Sequence, residues 1–264
     1  MLMGCGDNAP DLPAAVAAVD GARYLADLKM IASKPRPPGS AHHKAIQQLC
    51  KSRLEQLGFS VELHAYGTGT NVVGKLAGSG APAEEIIISA HYDSTSGCVG
   101  ADDNGTGVAG ALEAARVLAS AGSHRRTLTV ACWDEEERSL LGSIEYVKRA
   151  KLRGDTIIEA YVFEMIGYRS ETPDTQSFPS GFDAVSPELY NKQKANQDRG
   201  DFILVVHDDD SDGHSKTAAA EMARLAEKID LKLYRINFTE AVKRSALAYG
   251  LLRSDHAAFY LQSY

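Results

Sequence analysis

The stretch "EIIISAHYD", residues 85–93, is nearly continuous in apolar and small side chains until it reaches His91 and Asp93. A strand wetted on one face alternates apolar with polar residues, whereas three successive isoleucines suit a central strand covered on both faces. Two further apolar runs end in the same way: "TLTVACWDEEE" at Glu135, Glu136 and Glu137, and "AYVFE" at Glu164. In an open α/β sheet, sites collect beyond the carboxyl ends of the strands, so these side chains are placed to converge.

Outward from this centre, "FSVELHAY", "TNVVGKLAG" and "DFILVVHD" read as further strands. Helical spacing marks "GARYLADLKMIAS", "AHHKAIQQLCKSRLEQLG", "GTGVAGALEAARVLASAG", "SLLGSIEYVKRAK" and "KTAAAEMARLAEKID". Strands that alternate with helices predict a three-layer α/β/α sandwich with a mixed, mostly parallel central sheet. The polar, Pro- and Gly-bearing segment from about Arg169 to Arg199 reads as a long surface excursion and a candidate lid.

Length and composition agree with one large domain over residues 21–264, preceded by a disordered segment over 1–20. A net charge of -7 speaks against nucleic acid as a partner. No run approaches the roughly 20 apolar residues of a membrane-spanning helix. The cysteines Cys5, Cys50, Cys98 and Cys132 show no CxxC spacing, so neither a cysteine zinc site nor a disulfide framework is expected.

"GADDNGTG", residues 100–107, sets Asp102 and Asp103 between glycines at the start of a helical pattern. A lone histidine at a strand end is more often a satisfied polar residue than a ligand. Several carboxylates brought together are another matter, since burying them without cations costs several kcal/mol each. Arg138 alone is sequence-adjacent to the acidic cluster, so a metal is the more economical counter-charge.

In order, "HYDS", "GADDNGTG", "EEERSLLGS", "FEMIG" and "SDHAAF" resemble the successive motifs of the co-catalytic zinc aminopeptidases related to bacterial leucine aminopeptidase, glutamate carboxypeptidase and glutaminyl cyclase. The resemblance runs from about Ala41 to the end of the chain. It implies two zinc ions per chain, with His91 and Glu164 on one, Glu137 and His256 on the other, and Asp103 bridging. It implies a cis peptide at Asp103-Asn104, an orienting role for Asp93 on His91, a lesser one for Asp255, and structural roles for Asp102 and Arg36. Anchoring on Gly142-Ser143 makes Glu136 the general base and Glu137 the ligand, although Glu135 stands where relatives commonly have a small residue and leaves a shift of one residue open. Glu164 departs from the aspartate of many relatives.

The implied activity is exopeptidase hydrolysis of the N-terminal bond of peptides with a free N-terminus, by water held at the metals with Glu136 as base. Two alternatives stand beside it: a single-zinc glutaminyl cyclase-like acyltransferase, and a non-catalytic binding domain of the same fold. "ADDNGTG" and the complete ligand set favour hydrolysis over both. "MLMGCGDNAP" resembles the cleavage box of bacterial lipoproteins, which would make Cys5 a lipid anchor and the protein exported, against the plainer reading of an unstructured start. Relatives continue past the last motif with a strand, a loop and a helix, whereas only "LQSY" follows "SDHAAFY", so the chain reads as lacking its C-terminal elements. "HDDDSDGH", residues 207–214, lacks EF-hand spacing and reads as a solvated loop. No GxSxG elbow and no phosphate-cradling loop is present. Oligomeric state and side-chain preference are not legible.

Overall fold

The computed structural model describes residues 12–208, 213–243 and 250–262. Cys5 and the centre of the 207–214 acidic stretch lie outside them. The chain divides into two compact units, Met1–Met165 with Asp255–Tyr264, and Ile166–Ser254.

In the first unit the helices are α1 (Leu12–Ala17), α2 (Gly21–Ile31), α3 (Ala41–Gln56), α4 (Gly107–Ser120) and α5 (Leu141–Arg153). Its strands are β1 (Ser60–Ala65), β2 (Thr70–Leu76), β3 (Ala81–His91), β4 (Arg126–Trp133) and β5 (Thr156–Val162). The sheet order is β1-β2-β4-β3-β5. β2 runs antiparallel to β1 and β4, while β3 is parallel to β4 and β5, so the sheet is mixed and β2 alone opposes the common direction.

Alternation along the central strands decides which helices cover which face. Val72, Ile88, Leu128, Val130 and Cys132 pack in one core with Ile31 of α2, Ile46 and Leu54 of α3, and Val108 and Leu112 of α4. Their neighbours Val73, Ile87, Ala131 and Trp133 face the other way, onto Tyr146 and Val147 of α5 and onto Ala258 and Phe259 near the C-terminus. Both faces of β3 and β4 are therefore dry, as their apolar runs require. Caps fix the helix starts: Asp20 accepts from the backbone N–H of Ala22 and Arg23, and Ser40 from that of His43. Gly58, at φ 85°, turns the chain after α3.

The second unit contains α6 (Phe182–Val185), α7 (Pro187–Ala195), β6 (Phe202–Asp208), α8 (His214–Lys228), β7 (Lys232–Phe238) and α9 (Glu240–Lys243). β6 and β7 are parallel and form their own two-stranded sheet. The alternation of "KLYRINF" in β7 buries Tyr234, Ile236 and Phe238. The 169–199 excursion is also more ordered than its composition suggests: α7 starts on Pro187, and buried Gln193 donates to the carbonyls of Gln176 and Arg199. The chain then returns to the first unit, where α10 (His256–Leu261) ends the described residues but one.

Candidate metal centre

Register places the strand-end residues together. His91 of β3 pairs with Trp133 of β4, and Ser89 with Val162 of β5, so three strands stop at one edge of the sheet. Asp93, the Asp134–Glu137 turn and Glu164 all follow directly from that edge.

The fourth contribution comes from the turn before α4. Gly100 is left-handed at φ 52°, and a Cβ there would meet the Asp103 carbonyl oxygen at 2.1 Å. The Asp103-Asn104 peptide is cis. Asn104 Nδ2 donates to the Phe163 carbonyl at 2.8 Å and to Glu164 Oε2 at 3.3 Å, while its Oδ1 accepts from Gly107 and Met165. The cis bond at Asp103-Asn104 is the one that the family resemblance implies, whereas the role of the Asn104 side chain has no signal in the sequence beyond its place directly after Asp103.

The ligand atoms of His91, Asp103 and Glu164 all lie within 4.8 Å of one another. His91 Nε2 stands 3.2 Å from Asp103 Oδ1, 3.6 Å from Glu164 Oε2 and 3.8 Å from Glu136 Oε2. On the opposite side of the ring, Nδ1 lies 3.2 Å from Asp93 Oδ1. Asp93 has a second task, since its oxygens accept the backbone N–H groups of Glu136 and Glu137. One buried carboxylate thus orients the imidazole and pins the acidic turn.

Glu137 Oε1 accepts from Thr95 N at 3.2 Å, and His256, first in α10, has its ring edge-on to Tyr260 at 5.5 Å. Neither belongs to the three-residue group. Glu135 is committed elsewhere: it is fully buried at φ 55°, with Oε1 on Arg138 at 2.8 Å and Oε2 on the Thr68 hydroxyl. Of the three consecutive glutamates, Glu136 is the one beside His91.

Electrostatics follow from this crowding. Burial disfavours a charged His91, but the carboxylates of Asp103, Asp93 and Glu164 around the ring outweigh it and hold the imidazole pKa well above its usual value. Burial pushes Glu136 up to about 8, opposed by His91 and reinforced by Asp255, Glu164 and Asp93. Burial also raises Glu137, with Asp103 adding to it, and carries Asp255 up to about 7. His91 Nε2 is buried without a hydrogen bond of acceptable geometry and faces carboxylate oxygens. An imidazole nitrogen and carboxylate oxygens are zinc donors, so the residues fit that ion.

Such donors, gathered beyond the strand ends of a mixed α/β sheet, are features of metallopeptidases. Residues 71–262 match the model of Peptidase family M28, and the chain belongs to that family. It is similar to leupeptin-inactivating enzyme 1 of Streptomyces exfoliatus, 32% identical over 167 residues, covering 60% of this chain and 37% of that protein. The chain thus spans well under half the length of that relative. Its fold is that of BSAP, a zinc aminopeptidase from Bacillus subtilis, with a TM-score of 0.62 at 15% identity over 93% of this chain and 83% of the other. Porphyromonas gingivalis glutaminyl cyclase shares the fold too, with a TM-score of 0.57 at 15% identity over 93% and 81% of the two chains.

Proposed function

We propose that the chain is a zinc-dependent exopeptidase that cleaves the N-terminal bond of peptides. The observation that carries this reading is the convergence of His91, Asp103 and Glu164, with Glu136 at 3.8 Å from the same imidazole nitrogen. His91 and Glu164 would hold one zinc, Glu137 and His256 a second, with Asp103 between them. Zinc bound there supplies a Lewis acid that polarises the peptide carbonyl and makes water a nucleophile near neutral pH.

The chain's own groups do the rest. Glu136 takes a proton from the attacking water and returns it to the departing amine, which requires a carboxylate that is a ligand to neither metal. Asp93 holds the His91 ring by Nδ1, leaving Nε2 for the metal, and fixes the Glu136 and Glu137 backbone in the same act. Excess carboxylate around the site recognises the free α-amine of the substrate. With Cys5 acylated, the protein would act outside the cytoplasm. Among the described residues no helix is long and apolar enough to cross a membrane.

Elemental analysis after zinc loading and desalting tests the metal reading, with Asp103→Ala as control. Two zinc ions in the native chain and far fewer in the control support it. One zinc, together with cyclisation of an N-terminal glutamine, supports the cyclase-like reading, which the shared fold of the Porphyromonas gingivalis enzyme keeps in view. None in folded protein sinks both. Cleavage of a peptide whose N-terminally acetylated form is spared would establish the exopeptidase preference.

A further inference from the structure

Arg36 is fully buried, yet the hydrogen bonds of its guanidinium go to carbonyls. Nε donates to the Tyr92 carbonyl at 2.8 Å, Nη1 to that of Val99, and Nη2 to that of Gly100 at 2.9 Å. Tyr92 stands between His91 and Asp93, and Gly100 opens the turn that carries Asp103. One rigid, planar fork therefore spans the two segments that deliver the imidazole and the carboxylate proposed to bridge.

Its backbone closes the same loop. Arg36 N donates to Ser94 Oγ at 3.0 Å, Ser94 N donates back to the Arg36 carbonyl, and Ser94 Oγ donates to the Cys98 carbonyl at 3.1 Å. The Gly100 carbonyl accepts in addition from Gly105 N at 3.1 Å. Prolines at 35, 37 and 38 restrict φ on both sides of Arg36, so the anchor is itself stiff. Burying a cation is costly, and burial lowers the guanidinium pKa here, with the nearby negative charge of Asp93 and Asp103 offsetting part of that cost. An apolar side chain could fill this volume, but it would neither hold three carbonyls nor offset that charge.

We propose that Arg36 is a positioning residue for the metal centre, setting the separation of His91 and Asp103 by clamping the 92–100 segment at both ends. The proposal rests on the zinc reading above. Arg36 touches no reacting atom and acts through the loop. Its fork matches carbonyls drawn from two segments, so lysine, a point charge on a flexible stem, does not replace it.

The test compares the native chain with Arg36→Lys, Arg36→Met and Ser94→Ala, the last keeping the arginine while loosening the loop. Zinc affinity is measured by competition with a chromogenic chelator, and melting temperature with EDTA and with saturating zinc. Zinc binding is expected to weaken about 10–100-fold in Arg36→Lys and Arg36→Met, the range for groups that orient ligands, with a smaller loss in Ser94→Ala. The zinc-induced rise in melting temperature shrinks in the same order. Native zinc affinity in a folded Arg36→Lys, with both melting temperatures lowered equally, would make Arg36 a stability residue only and overturn the proposal. Should Arg36→Met not fold, Arg36→Lys and Ser94→Ala carry the same comparison. Absence of zinc from the native chain would remove the metal centre, and this proposal with it.

Discussion

His43 Nε2 lies 2.6 Å from Asp134 Oδ1, with both side chains buried at the root of the acidic turn. The Gly39 N–H donates to His43 Nδ1 at 3.3 Å, which leaves the ring proton on Nε2 to be given to Asp134. The Tyr92 hydroxyl and Thr70 N–H both hold Asp134 Oδ2 at 2.9 Å. β3, the hairpin before β2 and the start of α3 are thus fastened to the residue that precedes Glu135. His43→Ala is expected to cost about 1.5–3 kcal/mol, the range for a hydrogen bond to a charged group. Urea denaturation checks this, and a loss below about 0.5 kcal/mol, the scatter of neutral surface changes, would show the pair to be incidental.

The three consecutive glutamates are expected to separate by phenotype. Glu136→Gln should lower turnover by about 10²–10⁴-fold, the usual contribution of a positioned base, while leaving zinc content unchanged. Glu137→Ala should lose zinc. Glu135→Ala, which frees Arg138 and Thr68, should lower stability before it touches either quantity. Loss of metal from Glu136→Gln with full retention in Glu137→Ala would shift the register by one.

Gly107→Ala probes the packing of the turn. A Cβ there would stand 2.1 Å from Asn104 Oδ1 and 2.8 Å from the Phe163 carbonyl oxygen. Alanine favours a helix over glycine by roughly 0.5–1 kcal/mol, but overpacking costs about 1–3 kcal/mol, so the clash should win. The expected outcome is a lower melting temperature together with weaker zinc binding, because Asn104 also bonds Glu164. An unchanged zinc affinity would contradict the link between Asn104 and the metal centre.

Metal-free protein should lose stability as pH rises from about 4.5 to 8. Glu136, at about 8, and Asp255, at about 7, both stand above ordinary carboxylate values, so the folded chain holds protons that the unfolded chain has released. Each such group penalises folding once the unfolded carboxylate ionises, and the penalty is complete above the folded value. Asp255→Asn should flatten the profile. Zinc binding releases protons from its ligands, so the rise in melting temperature on adding zinc should be larger at pH 8 than at pH 6. A metal-free profile that climbs over this interval would refute the assignment of raised carboxylates.

The apolar runs ending in His91 and Glu135 were legible because a strand covered on both faces has no room for polar alternation, whereas the run before Glu164 forms β5, a half-buried strand at the edge of its sheet among the described residues. β7 and the helices inside 169–199 were less so: a short alternating strand gives few repeats to count, and α7 is largely polar on its surface. Asn104 and His43 carry no pattern of their own. Their roles arise from partners 59–61 and 91 residues away, which no local spacing encodes.

By itself the sequence determined the α/β alternation, the strand ends that carry ionisable groups, and the motif order of the peptidase family, because each is written in short-range periodicity or in contiguous residues. Only the tertiary structure decided which carboxylate meets which nitrogen. Parallel registration of β3 with β4 and β5 puts three distant strand ends at one edge, and the clamp from Arg36 and the latch from Asn104 then fix the loops to within hydrogen-bonding distance. Such geometry depends on contacts between segments far apart in the chain, so it exists only once the chain has folded.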